Sequence, residues 1–319
     1  MGVQEALKDI LKESYGIDVV ETKTITRLMF RQSYVIKDSR KKQYIVKDYA
    51  GTLDLQELNR LWQYYLTLWE AGIQVGRAVR KLNSNEFHFF FEGRIYVVFE
   101  YVNGKRSEVV QYKQVAECLQ KYHGVASSMD VLPGLATTRD KLSLARSLFP
   151  FFHQSKYSMK NEILECEDDV YRIVDVYAGQ DKTILHGDTI LENMVSDGEK
   201  TVLIDFDSIH YGDVMEDVSN TVLSFLYYGS KTFKMNPERY VLVKKFVEAY
   251  YGKNYTEDLE KNIYYYMQVH CVLELLRHAE NIRFLIRMPG MKDYLKMLVL
   301  IIHSPDFKTI LEKEDDQND

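Results

Sequence analysis

The chain has 319 residues, of which 46% are hydrophobic, and its 41 basic and 47 acidic residues give a formal net charge of −6. This length and composition predict a large buried core in one large domain or two lobes. The sequence has no block of basic residues of the kind that follows a phosphate backbone, which argues against nucleic acid as the main partner.

Cysteine usage and apolar runs indicate the compartment. Cys118, Cys166 and Cys271 are far apart and odd in number, so they predict free or buried thiols in a reducing compartment. The N-terminal segment alternates charged and apolar residues at helical spacing and lacks the uninterrupted apolar stretch of a signal peptide. The late run MLVLII is far too short to span a bilayer. We therefore expect a cytoplasmic protein without a membrane partner.

The first hundred residues are rich in predicted strands. Three short runs contain β-branched and aromatic residues, namely VVETKTI, SYVIKD and QYIVKDY. Residues 54–72 then place leucine, tyrosine and tryptophan at three- and four-residue spacing, which predicts an amphipathic helix ending at Gly72. EFHFFFEG and RIYVVFEYV follow as a hairpin that turns at Glu92 and Gly93.

The pattern changes after VNGKR at 102–106. Helical periodicity covers most of the remaining chain, in segments 107–125, 138–151, 158–178, 213–228, 236–251, 256–286 and 291–303. Two short strands with acidic ends, TILH and TVLID, interrupt these helices. The sequence therefore predicts an α+β protein. Its small lobe, residues 1–102, contains a five-stranded antiparallel sheet and one main helix, and its large lobe, residues 103–319, is mainly helical.

Residues 183–209 concentrate polar side chains at the ends of these two strands. The residues concerned are His186, Asp188, Asn193, Asp205 and Asp207. Oxygens of Asp and Asn suit Mg²⁺, which is usually held by one or two carboxylates plus substrate phosphates. A carboxylate at the end of a strand can accept the proton of a substrate hydroxyl, so the pattern is typical of phosphoryl transfer. An Asp-rich turn taken alone is more often a solvent-exposed turn without a functional role. We expect His186 to have a structural role.

A lysine in the third predicted strand adds to this pattern. Lys47 lies among apolar residues, where a charge is costly unless it is paired. Glu57, the only acid early in the following helix, is its expected partner. Taken alone, a strand lysine more often faces solvent, and Glu57 is more often an ordinary surface acid. The ordered combination of strand lysine, helix, HGDxxxxN and a strand ending in DFD favours the functional interpretation.

These motifs resemble the catalytic region of the aminoglycoside phosphotransferase and choline kinase superfamily, whose members are small-molecule kinases with a protein-kinase-like two-lobed fold. The matching positions are HGD at 186–188, Asn193, IDFD at 204–207, GD at 212–213 and Asp217. FEYVNGKR at 99–106 is similar to the hinge that holds adenine, and ECLQKYHG at 117–124 is similar to the helix that follows it. The resemblance extends over most of the chain. Within the superfamily, the size and sequence pattern of the chain are similar to those of the spore-coat kinase-like and homoserine-kinase-like branches.

The resemblance implies a role for each matching residue. The implied assignments are Asp188 as the catalytic base; Asn193, Asp205 and Asp207 as magnesium ligands; and Lys47, Glu57, Ser33, Glu100 and Tyr101 as nucleotide-binding residues. The cofactors would be ATP, with GTP as an open alternative, and Mg²⁺. The partner would be a small molecule that offers a hydroxyl acceptor.

Two departures from the family pattern favour a competing interpretation. TILE stands between Asp188 and Asn193, where the family often has LHPG. The predicted phosphate-covering segment TRLMFRQS at 26–33 has no glycine, so backbone approaches phosphate less freely there and Ser33 becomes the candidate contact. Both departures favour a pseudokinase that binds nucleotide or a partner and transfers nothing. Retention of Asp188, Asn193 and Asp205 opposes it.

The main interpretation is an ATP-dependent kinase acting on a small-molecule hydroxyl, such as that of an amino sugar, an aminoglycoside-like antibiotic or an amino alcohol. Asp213, Glu216 and Asp217 could attract a cationic acceptor, although acids that begin a helix also stabilise its dipole. A third interpretation is a two-metal hydrolase. Its residues would be His186, Asp188, Asp205, Asp207 and His210, and it would leave Lys47 and the hinge unexplained.

Overall fold

The computed structural model describes residues 3–26, 32–49, 54–129, 132, 134–154, 159–179, 182–230, 233–279 and 287–315. The chain divides into two compact units. The first comprises Met1–Lys105 and Val202–Asp207, and the second comprises Arg106–Thr201 and Ser208–Asp319. The chain first passes from the first unit to the second after Lys105, shortly after the predicted boundary at 102. The return of Val202–Asp207 to the first unit is a feature that the sequence prediction lacks.

The first unit contains an antiparallel sheet flanked by helices. Its elements are α1 (Val3–Tyr15), β1 (Val19–Thr26), β2 (Gln32–Asp38), β3 (Gln43–Asp48), α2 (Leu55–Glu70), β4 (His88–Phe91) and β5 (Arg94–Glu100). The strand order is β1-β2-β3-β5-β4, and every adjacent pair is antiparallel. The predicted five strands and main helix are thus confirmed. The helix α1 adds Leu7 and Leu11 to a core shared with Ile36 and Val46 of the sheet.

Local signals explain where α2 begins and ends. Asp54 is its N-cap: the carboxylate accepts the N–H of Glu57, and the Glu57 carboxylate accepts the N–H of Asp54. This reciprocal capping box satisfies two donors that the first turn would otherwise leave without partners. The helix ends before Gly72, which adopts a φ of +75° that glycine tolerates without steric cost.

A short segment of later sequence completes the first unit. Leu203 forms a parallel bridge with Val75, and its carbonyl accepts the N–H of Gly76 at 2.9 Å. The Leu203 N–H donates in turn to the Gln74 carbonyl at 3.1 Å. These backbone bonds hold the DFD motif, which follows directly, in the same unit as β3.

The second unit is mainly helical. Its helices are α3 (Tyr112–Ala126), α4 (Thr138–Ser143), α5 (Ala145–Gln154), α6 (Lys160–Glu165), α7 (Glu167–Val176), α8 (Val214–Tyr227), α9 (Tyr240–Tyr251), α10 (Glu257–Ala279), α11 (Met291–His303) and α12 (Phe307–Asp315). Its short strands are β7 (Thr183–Leu185), β8 (Met194–Ser196) and β10 (His210–Gly212). Two further short strands, β6 (Lys105–Arg106) and β9 (Thr201–Leu203), each include residues of both units, because the chain passes from one unit to the other within them. β7 and β10 pair antiparallel.

The helix α8 forms the centre of the second unit. Every residue from Glu216 to Tyr227 is buried, and α8 packs against α9 and most extensively against α10. Two segments predicted as single helices are divided: 138–151 breaks at Leu144 between α4 and α5, and 158–178 breaks at Cys166 between α6 and α7. Among the described residues, we find no helix of the length and apolarity that crossing a bilayer would require.

Candidate active site

The first unit brings a lysine into contact with two aspartates. Lys47, on β3, is 7% exposed, and its ammonium Nζ contacts the carboxylates of Asp205 and of Asp207, the latter at 2.6 Å. Burial by itself would lower the pKa of Lys47, but the two carboxylates raise it above its ordinary value. The ring of Tyr49 lies 5.0 Å from Nζ, measured to its centroid. The lysine is therefore charged, paired and immobilised.

A buried phenylalanine holds the two aspartates in position. Phe206 is fully buried and packs edge-to-face on Tyr64 and Tyr65 of α2, with ring centroids 6.4 and 5.1 Å apart. Asp205 has a φ of +69°, in the left-handed region that non-glycine residues rarely adopt. Such a conformation persists only when surrounding packing enforces it, and it is common at functional sites. Phe206 therefore fixes the direction of the carboxylates on both sides of it.

The structure does not bring Glu57 to Lys47. Glu57 is exposed, and its carboxylate accepts the Asp54 N–H at 2.7 Å in the capping box of α2. The described partners of Lys47 are Asp205 and Asp207 instead. Ser33 is buried on β2, and its hydroxyl has no hydrogen-bond partner among the described residues. Residues 27–31 of the predicted phosphate loop lie outside the described part of the chain.

The predicted hinge residues use their backbone donors within the first unit. The Glu100 N–H donates to the Arg77 carbonyl at 2.7 Å, and the Tyr101 N–H donates to the Gln43 carbonyl at 3.0 Å. The Glu100 side chain pairs with Lys42 at 2.7 Å. The backbone N–H groups of these two residues are therefore engaged within the protein.

The second unit holds Asp188 and Asn193 together in one loop. The Asn193 amide Nδ2 donates to the Asp188 carboxylate at 2.9 Å and to the Asp188 main-chain carbonyl at 3.0 Å. Leu191–Asn193 form a single 3₁₀ turn, and Leu191 is fully buried. The TILE segment thus keeps the aspartate and the asparagine in contact without the Pro-Gly turn of the family pattern.

Asp217 anchors this loop from α8. Its carboxylate accepts the backbone N–H groups of His186 and Gly187, each at 2.9 Å, and lies 3.0 Å from His123 Nε2. Burial would raise the pKa of Asp217, but the hydrogen bond and charge of His123, together with His186, hold it below its ordinary value. Asp217 therefore braces the loop that carries Asp188. Gly187 is required here, because a Cβ would lie 2.3 Å from the Ser208 carbonyl.

Hydroxyl groups of the loop and of α8 also hold the loop against the helix, and the sequence analysis missed them. The Thr189 hydroxyl donates to the Asp217 carbonyl at 2.6 Å, and the Thr221 hydroxyl donates to the Thr189 carbonyl at 2.8 Å. The Ser224 hydroxyl accepts the Leu191 N–H at 2.8 Å. Asp217, Thr221 and Ser224 are spaced by four and three residues, so they share one helix face. The polar residues at this spacing within a buried helix were the available signal.

The donor set fits the metal that the resemblance implies. Within the first unit, Asp205 and Asp207 offer carboxylate oxygens, which are hard ligands of the kind Mg²⁺ takes. Asn193, the third residue that the resemblance implies as a ligand, belongs to the second unit. The described residues contain no group of three or more His, Cys, Asp or Glu side chains that could hold a metal. Any metal here therefore needs oxygens from elsewhere, which phosphates supply in kinases.

A sequence profile described as the phosphotransferase enzyme family matches residues 28–239, which is more than half of the chain. The chain belongs to this family. Membership confirms the resemblance seen in the HGDxxxxN and IDFD motifs and makes the protein a phosphotransferase. No curated protein sequence matches the chain significantly.

Solved structures of other phosphotransferases share the fold. Amicoumacin kinase hAmiN, in complex with AMP-PNP, Ca²⁺ and Ami, matches with a TM-score of 0.69 and 15% identity over 98% of this chain and 93% of that one. Spectinomycin phosphotransferase APH(9)-Ia, in complex with ADP and spectinomycin, matches with a TM-score of 0.66 and 15% identity over 94% of this chain and 98% of that one. Choline kinase LicA from Streptococcus pneumoniae matches with a TM-score of 0.61 and 18% identity over 94% of this chain and 98% of that one. The protein-kinase-like α+β fold is thus confirmed.

Proposed function

We propose that this phosphotransferase moves the terminal phosphoryl group of ATP to a hydroxyl of a small molecule, with Mg²⁺ as the metal. The observation that carries the proposal is the loop in which Asn193 holds the Asp188 carboxylate at 2.9 Å. Asp217 fixes that loop through two backbone N–H groups. A rigidly held carboxylate on such a loop suits the orientation and deprotonation of an attacking hydroxyl. The free cysteines Cys118, Cys166 and Cys271 support a cytoplasmic location.

The residues of the first unit have the charges that a nucleotide triphosphate requires. Lys47 is a fixed cation that can contact phosphate oxygens, and the adjacent Asp205 and Asp207 can supply oxygen ligands to the metal. Bound Mg²⁺ neutralises phosphate charge during transfer. In this arrangement Lys47 exchanges part of its contact with the aspartates for contact with the phosphates.

The acids expected to attract a cationic acceptor are used within the protein. Asp213 caps α8 and accepts the Tyr266 hydroxyl at 3.1 Å. Glu216 accepts the Tyr177 hydroxyl at 2.8 Å, and Asp217 holds the catalytic loop. An amino sugar, an aminoglycoside-like antibiotic or an amino alcohol therefore gains no support from these three residues. The related structures name an antibiotic and choline as partners of those proteins, and what we carry over is the class of small hydroxylated molecules.

The two competing functions are each opposed by a contact. The pseudokinase interpretation rested on the altered TILE segment and on the glycine-free segment 26–33. Asn193 still contacts Asp188 across the TILE segment, and residues 27–31 of the other segment lie outside the described part of the chain. The two-metal hydrolase required His210 as a ligand. His210 is buried: its Nδ1 lies 2.8 Å from the Ser208 carbonyl and its Nε2 lies 3.4 Å from Glu216. Both of its ring nitrogens therefore face protein groups.

The substitution Asp188→Asn tests the proposal, because it keeps side-chain size and removes the base and its charge. The control is Asp197→Asn, which makes the same change on the exposed turn that follows the catalytic loop. Nucleotide binding is measured by thermal shift with ATP and Mg²⁺, and transfer is measured as acceptor-dependent ADP release over a panel of hydroxylated metabolites. We expect Asp188→Asn to bind nucleotide like the parent and to transfer phosphate roughly a hundredfold more slowly or worse.

Two results would contradict the proposal. Equal rates for the parent and Asp188→Asn, with Asp197→Asn also unchanged, would remove Asp188 from the mechanism. Nucleotide binding by the parent without turnover on any acceptor of a broad panel would favour the pseudokinase.

A further inference from the structure

One buried amide in the second unit is left without partners. Asn220 lies on α8 and is 2% exposed, and neither its Nδ2 nor its Oδ1 has a hydrogen-bond partner among the described residues. Burying an amide without hydrogen bonds is costly, and native proteins rarely retain such a group without a functional reason. Asn220 follows Glu216 by four residues and precedes Tyr227 by seven, so all three share one face of α8.

Two further polar side chains lie on helices that approach this part of α8: Thr138 of α4 donates to Glu216, and α10 packs along α8. Lys141 on α4 is half-buried and close enough to Glu216 and Glu274 for both carboxylates to influence its pKa. His270 on α10 is also half-buried and lies near the same two carboxylates. Within the described part of the chain, no ion pair or hydrogen bond joins Lys141 or His270 to another side chain. Burial lowers the pKa of Lys141 to about 8 and also lowers the pKa of His270.

The carboxylates nearby are already occupied. Glu216 accepts the Thr138 hydroxyl at 2.8 and 2.9 Å and the Tyr177 hydroxyl at 2.8 Å. Glu274 accepts the Tyr294 hydroxyl at 3.0 Å and pairs with Arg277 at 3.1 Å. The acids thus have protein donors, whereas the cation, the amide and the imidazole have none.

The face also leads to the catalytic aspartate. Tyr227, two turns beyond Asn220, has its pKa raised well above the ordinary value by burial first, and then by Glu192, Asp188 and Glu274. Arg277, three residues beyond Glu274, lies near Asp188 as well. Asn220 also precedes Thr221, whose hydroxyl donates to the carbonyl of Thr189, the residue after Asp188, so this part of α8 borders the loop of the proposed base.

We propose that Lys141, Asn220 and His270 form the acceptor-recognition site of the phosphotransferase, and that the acceptor carries an anionic oxygen group, such as a carboxylate, in addition to the hydroxyl that is phosphorylated. The inference rests on the proposed function for the hydroxyl. An ammonium without an ion pair takes an anion as its natural partner, and charge-assisted hydrogen bonds are the strong ones. The amide and imidazole then orient the same group. A cationic acceptor would meet the charge of Lys141 instead.

Binding is tested with the full-length protein and matched probes. Glycolate, glycerate and gluconate are compared with ethylene glycol, glycerol and glucose at equal ionic strength, in thermal-shift titrations with AMP-PNP and Mg²⁺ present. Glucosamine and glucose 6-phosphate distinguish amine and phosphate from carboxylate. We expect at least one carboxylate to bind more tightly than its neutral counterpart. Lys141→Met should weaken that binding by roughly ten- to a hundredfold, while Lys113→Met, at an exposed lysine of the same unit, should leave it unchanged.

Asn220→Leu provides a second, independent measurement. If Asn220 serves a ligand, the variant should raise the midpoint of thermal unfolding, because it removes a buried amide that has no partners, and it should also lose carboxylate binding. A structural asparagine would give a lower midpoint, which would overturn its role.

The remaining outcomes separate this inference from the proposed function. Equal or better binding of the neutral or amine probes, or an unchanged carboxylate preference in Lys141→Met, overturns the anionic acceptor. The AMP-PNP shift is recorded in the same samples. If it is absent in the parent, the proposed function fails, whereas the comparison of carboxylate with neutral probe still tests the site.

Discussion

Replacing Lys47 by methionine removes the charge that the structure places against two partly buried carboxylates. The Lys47 side chain is 9% exposed, and the side chains of Asp205 and Asp207 are 19% and 10% exposed. Methionine fills similar space but leaves both aspartates without their lysine. Removing one partner from a buried ion pair costs about 3–5 kcal/mol, because the remaining charge is left uncompensated. We expect Lys47→Met to lower the free energy of unfolding of the first unit by about that amount.

The same sheet offers a matched control. Lys42 pairs with Glu100 at 2.7 Å, but their side chains are 50% and 33% exposed. Exposed ion pairs contribute about 0–1 kcal/mol, so Lys42→Met should cost at most about 1 kcal/mol. Both substitutions remove one lysine charge from an ion pair of the same unit, and they differ mainly in burial.

Tryptophan fluorescence during urea unfolding is the appropriate assay. The chain has two tryptophans, Trp62 and Trp69, and both lie on α2 in the first unit. Their signal therefore reports this unit, and the midpoint and slope give the free energy of unfolding. Adding Asp207→Asn to Lys47→Met should recover part of the loss by removing one uncompensated carboxylate. A Lys47→Met midpoint equal to that of Lys42→Met would refute the inference that the ion pair contributes through burial.

Two further substitutions test how the site is held. Phe206→Ala should cost about 3–5 kcal/mol by opening a cavity against α2, whereas Phe90→Ala at an exposed position should stay within about 0.5 kcal/mol; urea midpoints check both, and equal losses would contradict the anchoring role. The pKa of Asp217 is depressed below its ordinary value of 3.8 in the folded state, so its contribution to stability is present at neutral pH and is lost as pH falls below that value toward the folded-state pKa. Asp217→Asn should therefore be less stable than the parent at pH 7 and lose less stability between pH 5 and pH 2; parallel pH profiles for the two proteins would exclude this role.

The sequence by itself determined the features that depend on short separations along the chain. Alternation and helical spacing predicted the five strands and α2, since each element is defined by the residues within it. The contact of Asn193 with Asp188 follows from five residues of spacing and one turn. Local chemistry also explains the contact that Glu57 makes in this structure. Glu57 lies three residues from Asp54, so the two residues form the reciprocal capping box of α2.

Only the tertiary structure decided the partners of Lys47 and the environment of Asn220. Asp205 and Asp207 are 158 and 160 residues away from the lysine, and they reach it because Leu203 pairs with the backbone of Val75. No spacing rule connects positions so distant, since their proximity depends on how whole strands and helices pack. For the same reason, the sequence predicts Asn220 only as a residue within a helix and does not indicate that it is buried without partners among the described residues. Its lack of partners becomes visible once α4 and α10 are in place around it.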